Sequence, residues 1–231
     1  MTPATAVIVT AHNEADRLPA TLAALAAAFP GARVLVADDG STDGSAEVAA
    51  AHGAEVVRSE RNVGKGGAAT LAAQRLLGLA AEPDPPVVLL CDGDLATSAE
   101  ALAQLVEEVR SGRADLAVAA FARRVGGGFG WALGFARWAI RSRCGLETSA
   151  PISSQRALRA DVLPAVVPFA PRFGMEIGMT IDAVRAGFRV REVELPLAHR
   201  ATGRTLRGFL HRGRQLVDFA AVWWARRGPR R

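Results

Sequence analysis

The sequence predicts an α/β domain in which a mostly parallel sheet is flanked by helices, with a helical extension at the C-terminal end. Three observations predict it. Short β-branched runs alternate with alanine- and leucine-rich helical stretches through the first half of the chain. Polar clusters recur just after the apolar runs, where ligands bind in open sheets of this kind. The 231 residues are 50% hydrophobic and 22% charged, enough to bury one sizeable core and too apolar for disorder.

Taken in order, strands are expected near 5–10 (TAVIVT), 33–38 (RVLVAD), 55–59 (EVVRS), 87–92 (VVLLCD) and 115–121 (DLAVAAF). Helices fill the gaps. Ala15 to Phe29 opens near acidic Asp16 and closes on Pro30-Gly31, and Ser45 to His52, Lys65 to Leu79 and Ser98 to Arg110 follow, with Ser98 placed to cap the last of them. The second half is less regular. Gly126-Gly127-Gly128 reads as a loop, followed by helices over Trp131 to Arg143 and Gly174 to Ala186, a strand near 189–195 and a final helix over Leu206 to Arg227.

Composition removes several function classes. Cys91 and Cys144 have no partners at metal-ligand spacing, so a disulfide scaffold, a zinc finger and a redox pair are all disfavoured and a reducing cytoplasm fits. The N-terminal residues lack the basic region of a cleaved signal peptide. Phe219 to Ala225 is too short to span a bilayer, which needs about 20 apolar residues. The net charge of +5 hides a division. Residues 1–120 carry 8 basic and 16 acidic side chains, net −8, whereas 121–231 carry 20 and 7, net +13. Such concentration of positive charge points to an anionic partner in the second half: phosphate, nucleic acid or membrane surface.

Asp92 and Asp94 follow VVLL at a strand end, two residues apart, and offer hard oxygen ligands to a Mg or Mn ion. A helix cap is the competing use of the same pair. Asp38-Asp39-Gly40-Ser41 and His12-Asn13-Glu14 lie at the neighbouring strand ends, where an Asp can accept from a base imide or a ribose hydroxyl; singly, each is an ordinary turn. Together they assemble a nucleotide pocket. Lys65, the only lysine beside 27 arginines, sits in Asn62-Val63-Gly64-Lys65-Gly66-Gly67, where a compact ammonium can approach a phosphate.

TAHNEADRLPATL, VADDGSTDGS, ERNVGKGGA and LLCDGDL, in that order, resemble the nucleotide-binding half of family-2-type glycosyltransferases, which have the Rossmann-like GT-A fold. The resemblance implies one GT-A domain over 1–231, with a nucleotide-sugar half over 1–120 and an acceptor half over 121–231. It further implies that Ala11, His12, Asn13, Glu14, Asp39, Lys65, Asp92 and Gly93 hold the donor, with Lys65 near its diphosphate. PFAPRFGMEIGMTIDAVRAG and LAHRATGRTLRGFLHR resemble glucosyl-3-phosphoglycerate synthases, which implies Glu176 in the sugar and acceptor pocket and His199 completing the metal site with Asp92 and Asp94. EVELPLAHRATGR also resembles polyprenyl-phosphate sugar transferases of the dolichyl-phosphate glucosyltransferase type.

Glu176 lies in an otherwise apolar helix, so its carboxylate either pairs with an arginine or faces a polar pocket; the pocket is expected, with Glu176, Asp94 and Lys65 as the catalytic set. Arg156, Arg200 and Arg204 are the expected contacts of an anionic acceptor. Trp131, Phe135 and Trp138 beside Arg137, Arg141 and Arg143, and Leu206, Phe209, Leu210, Leu216, Val217 and Trp224 on the last helix, form stripes that suit an anionic bilayer, or packing in the core or a homodimer. The expectation is a cytoplasmic, metal-dependent hexosyltransferase, peripheral at the inner face of the membrane, moving glucose from UDP-glucose to polyprenyl phosphate, with 3-phosphoglycerate as the second acceptor. Two other classes compete. A sugar-1-phosphate nucleotidyltransferase would need a glycine-rich, arginine-containing loop where AHNEADR stands, and nucleic-acid binding, prompted by a pI near 10.7, would leave the acidic half idle. No nucleic-acid partner is expected.

Overall fold

A computed structural model describes residues 5–78, 87–121, 131–197 and 206–228. The first half delivers the expected alternation: β1 (Thr5–Ala11), α1 (Leu18–Ala28), β2 (Arg33–Asp38), α2 (Ser45–Ala51), β3 (Glu55–Arg58), α3 (Lys65–Leu77), β4 (Val87–Asp92), α4 (Ala103–Arg110) and β5 (Leu116–Phe121). The second half adds α5 (Trp131–Cys144), β6 (Arg156–Arg159), the short α6 (Leu163–Val166), α7 (Met175–Arg185), β7 (Val190–Leu195) and α8 (Leu206–Ala225). Gly126-Gly127-Gly128 lies outside the described residues, as do the side chains of Leu206, Phe209 and Leu210.

Two details differ from expectation. Ser98 does not cap a helix: it sits inside a 3-10 turn, Ala96–Leu102, that precedes α4, and its hydroxyl donates to Leu95 O at 2.7 Å. The short strand β6 was not anticipated. It inserts between β4 and β5 and runs antiparallel to both, giving a single seven-stranded sheet ordered β3-β2-β1-β4-β6-β5-β7 with every other pairing parallel.

Strand alternation divides β1 between two cores. Val7 and Val9 face Leu22, Leu25, Leu102 and Leu105 of one helical layer. Ala6 and Ile8 face the other, where Ala68, Ala69, Ala72 and Ala73 make a small-residue face on α3 beside Met175 and Met179 of α7. Gly66 shows how close that layer lies: a Cβ there would fall 1.9 Å from Ala170 O. A third cluster joins α5, α7 and α8 through Ile140, Ile177, Ile181, Phe219 and Val222.

The stripe that α5 buries is Ala136, Ala139 and Ile140; of the aromatic stripe read from the sequence, Phe135 packs partly buried against that core, whereas Trp131 and Trp138 do not join it. Trp131 and Trp224 are 78% and 60% exposed, and Val217 and Trp138 are exposed as well. The rings of Phe135, Trp138, Trp223 and Trp224 form a chain with successive centroids 5.4, 5.1 and 6.3 Å apart. Two guanidiniums cover it, Arg143 at 3.9 Å from the Trp223 centroid and Arg227 at 4.5 Å from that of Trp224. Among the described residues, no helix is long and apolar enough to cross a membrane.

Candidate active site

The chain winds from β1 outward to β2 and β3, then returns to place β4 on the other side of β1, so the sheet's switch point lies between the carboxyl ends of β1 and β4. A cavity of about 850 Å³ opens there. Thr10, Ala11, His12 and Glu14 line it from β1 and its loop, Asp39 from the end of β2, and Gly64 and Lys65 from the start of α3. Asp92, Gly93 and Asp94 enter from β4, and Arg172, Phe173 and Asp218 close it from the second half.

Hydrogen bonds between loops set this geometry. Asp38 and Asp39 split as strand alternation requires. Asp38 turns inward, accepting from the Ser41 amide at 3.0 Å with Arg58 Nε at 3.2 Å, while Asp39 reaches the cavity. Asp39 Oδ1 accepts from the Val63 and Gly64 amides at 2.7 and 3.1 Å and so pins the turn that leads into α3. Its other oxygen has no protein donor among the described residues. Asn13, at φ 56°, uses its side-chain oxygen to accept from the Thr42 amide at 2.9 Å. It ties two loops together and does not line the cavity.

The densest chemistry is a cluster of charges. Asp92 Oδ1 accepts from Thr10 Oγ1 at 3.1 Å and from Lys65 Nζ, and Asp92 Oδ2 accepts from Gln155 Nε2 at 2.9 Å. Lys65 Nζ also lies 3.4 Å from Glu176 Oε1, which accepts from Ser154 Oγ at 3.1 Å. Burial works against each of these charges, but mutual attraction outweighs it. The two carboxylates hold the Lys65 ammonium above its ordinary pKa, and Lys65 with the Thr10 and Gln155 donors holds Asp92 below its own.

Several expectations change at this point. Glu176 is 6% exposed and pairs with Lys65 behind the cavity wall; the open pocket expected for it is not where it lies. An apolar helix flank forces a buried carboxylate to take a partner, and the partner is the lone lysine. Arg156, expected to meet the acceptor, is 1% exposed, donating to Ser153 O at 2.8 Å and Thr180 Oγ1 at 2.9 Å. Burial lowers its pKa to about 10, despite the opposing pull of Glu176 and Glu192. His199, Arg200 and Arg204 lie outside the described residues. Unforeseen were Gln155, Arg172 and Asp218, which only tertiary packing brings here. Arg172 carried one local signal, its place in a Pro-Arg-Phe-Gly turn, and it adopts a left-handed φ of 51°.

Asp92 and Asp94 do not present equivalent carboxylates. Asp92 is engaged by three protein donors, whereas Asp94 lines the cavity and its side chain has no partner among the described residues. Among the described residues, no three His, Cys, Asp or Glu side chains gather as a metal site. One open hard-oxygen ligand still suits a Mg- or Mn-type ion, which is commonly held by one or two carboxylates with substrate phosphates and water completing its shell.

Comparisons with known proteins agree with this geometry. The chain is 34% identical over 209 residues to an uncharacterised glycosyltransferase of Mycobacterium tuberculosis, covering 87% of this chain and 88% of that one. It is 34% identical over 214 residues to the undecaprenyl-phosphate mannosyltransferase of Micrococcus luteus, covering 86% and 85%. Among solved structures, glucosyl-3-phosphoglycerate synthase from Mycobacterium tuberculosis, in complex with Mn2+, uridine diphosphate and phosphoglyceric acid, superposes with a TM-score of 0.75 at 26% identity over 99% of this chain and 80% of that one. The GT-A fold expected from the sequence is the fold observed. The family model described as glycosyl transferase family 2 matches residues 6–163, which carry β1 to β4 and the acidic loops at their ends, and the chain belongs to that family of nucleotide-sugar glycosyltransferases.

Proposed function

We propose that this enzyme transfers a hexose, glucose from UDP-glucose as the first choice, to the phosphate of a polyprenyl phosphate, with a Mg or Mn ion bound at Asp94. The observation that carries the reading is the cavity at the β1/β4 switch point. There Asp94, whose carboxylate has no partner among the described residues, lines the same cavity as Lys65 and Arg172. The bound cation would neutralise charge on the departing diphosphate.

The chain's own residues have separable tasks. Gly64 and Lys65 at the N-terminal end of α3 line the cavity, a fitting seat for phosphate oxygens. Asp39 and the pinned turn beside it suit the nucleoside. Arg172, with no acidic partner among the described residues, suits the acceptor phosphate in place of buried Arg156. In the reaction, the bond from the anomeric carbon to the diphosphate oxygen breaks with its electron pair leaving on that oxygen, and a bond to the acceptor oxygen forms. A phosphate nucleophile arrives ionised, so no base is required and positioning carries the rate.

A lipid acceptor is supported by the identity to an undecaprenyl-phosphate mannosyltransferase and by the exposed Trp-Arg face of α5 and α8. It would set the enzyme at the inner face of the membrane. A small phosphorylated acceptor is the second reading, favoured by the likeness to glucosyl-3-phosphoglycerate synthase. The test supplies UDP-glucose or GDP-mannose, labelled in the sugar, with Mn and either polyprenyl phosphate or 3-phosphoglycerate. Label moving to the organic phase is expected, and label confined to aqueous glycosylated acid rejects the lipid version.

A further inference from the structure

The turn that carries Asp94 is fastened to helix α1. Gly93 still donates its amide to Thr10 O at 2.9 Å, continuing the pairing of β4 with β1, but beyond it the chain leaves the sheet. Thr21, fully buried on α1, donates its hydroxyl to Gly93 O at 2.8 Å and accepts from the Ala96 amide at 2.8 Å. One side chain thus brackets Asp94 from both sides. A helical threonine ordinarily donates back to the carbonyl four residues earlier; here that oxygen, on Arg17, is 3.4 Å away, so the shorter bond goes across the turn. Arg17 Nη1 adds a longer contact, 3.5 Å from Asp94 O. We propose that Thr21 is a positioning residue for the cation-binding carboxylate of Asp94, an inference that rests on the metal reading above.

The two aspartates of the motif are held in different ways. Thr10, Lys65 and Gln155 fix Asp92 through its carboxylate. No partner among the described residues does this for Asp94, so its main chain decides where its carboxylate stands. That main chain is strained: Ala96 adopts a φ of 49°, a left-handed conformation that a residue with a Cβ seldom takes. Such a conformation persists only where its surroundings over-determine it, and the Thr21 bond to the Ala96 amide supplies that constraint. Without the hydroxyl, Gly93 O and the Ala96 amide lose their partner, and Ala96 is free to relax toward the right-handed region. The peptides on either side of Asp94 would turn with it. Magnesium demands near-ideal ligand geometry, and the groups that orient a ligand commonly matter 10- to 100-fold in metal affinity.

Calorimetric titration of the full chain with Mn, in saturating UDP or GDP, whichever the wild type takes up, tests this on wild type, Thr21→Val and Thr21→Ser. The Mn Kd should rise roughly 10-fold or more in Thr21→Val, which keeps the shape and loses the hydroxyl, and stay within about twofold in Thr21→Ser, which keeps it. Nucleotide binding in EDTA should change less than about twofold in both. A Thr21→Val protein that melts lower but binds Mn as wild type does overturns the proposal and leaves Thr21 a structural residue. Parallel weakening of Mn and of metal-free nucleotide overturns it too, as does a Thr21→Ser protein as impaired as Thr21→Val. Ala96→Gly, which accepts the left-handed conformation without strain, supplies a second background if Thr21→Val does not fold: the double variant should bind Mn more weakly than Ala96→Gly alone, and equal binding rejects the role. Failure of wild type to take up Mn with either nucleotide rejects the metal reading itself, a distinct result.

Discussion

Lys65 stands between Asp92 and Glu176 and is, among the described residues, the one cation in an ion pair with either side chain. Its removal leaves two partly buried carboxylates facing each other, the arrangement that makes breaking a buried pair destabilising by about 3 kcal/mol. Lys65→Met should therefore lose about that much stability at pH 7, measured by urea unfolding. The pH dependence follows from Asp92. Its folded pKa is held below the ordinary 3.8, so its contribution is present above 3.8 and disappears as pH falls through the lower folded value. In the variant that contribution is gone, and the gap between the two proteins should narrow as pH drops toward and below 3.8. An equal gap at pH 7 and in acid contradicts the account. Of these residues, the sequence disclosed that Asp92 and Lys65 matter through their turn and strand-end positions. It could not disclose that Glu176 meets Lys65, because that contact joins segments far apart in the chain. Asp218 was hidden for the same reason: helical periodicity tells which face of α8 is apolar, and says nothing about what the polar face meets.

At the level of elements, six of the seven strands could be read, β1, β2, β4 and β5 as largely apolar runs and β3 and β7 from their valines between charged residues. β6 could not. Arg156-Ala157-Leu158-Arg159 is as short as β3 but lacks the β-branched pair Val56-Val57 that marks β3, and its strand character comes from being clamped between β4 and β5. The seating of α8 is likewise a tertiary matter. A Cβ on Gly174 would lie 2.3 Å from Val222 Cγ2, a side-chain atom, whereas one on Gly66 would meet backbone at Ala170 O. Both Gly174→Ala and Gly66→Ala overpack their seams and should lose roughly 1–3 kcal/mol. The difference lies in rescue. Val222→Ala should recover part of the loss in Gly174→Ala, a coupling of about 1 kcal/mol in a double-mutant unfolding cycle, while no side-chain trimming at position 170 should relieve Gly66→Ala.

Across the whole molecule, the division between an acidic half and a basic half was plain in the sequence and has a structural counterpart. The acidic half forms the cavity floor, and the arginine-rich half forms the Trp-bearing face of α5 and α8. Which way those tryptophans point was not readable, since Ala136, Ala139 and Ile140 share the same helical repeat and take the core. If the face meets an anionic bilayer, the protein should sediment with vesicles containing acidic lipid and be released by salt, each arginine near the surface contributing about 1 kcal/mol. Trp131→Ser with Trp224→Ser should reduce vesicle partitioning about tenfold without changing the melting temperature. Binding unaffected by both salt and the double substitution removes the membrane from the scheme. One property of the chain has a separate use. With a single ε-amine in 231 residues, an acylating reagent has one internal target, Lys65, and its adduct is a direct reporter of cavity occupancy by mass spectrometry. Because neighbouring carboxylates keep that amine protonated, neutral solution should label it sluggishly, and whatever ligand draws Asp92 away should be visible as a change in tagging speed.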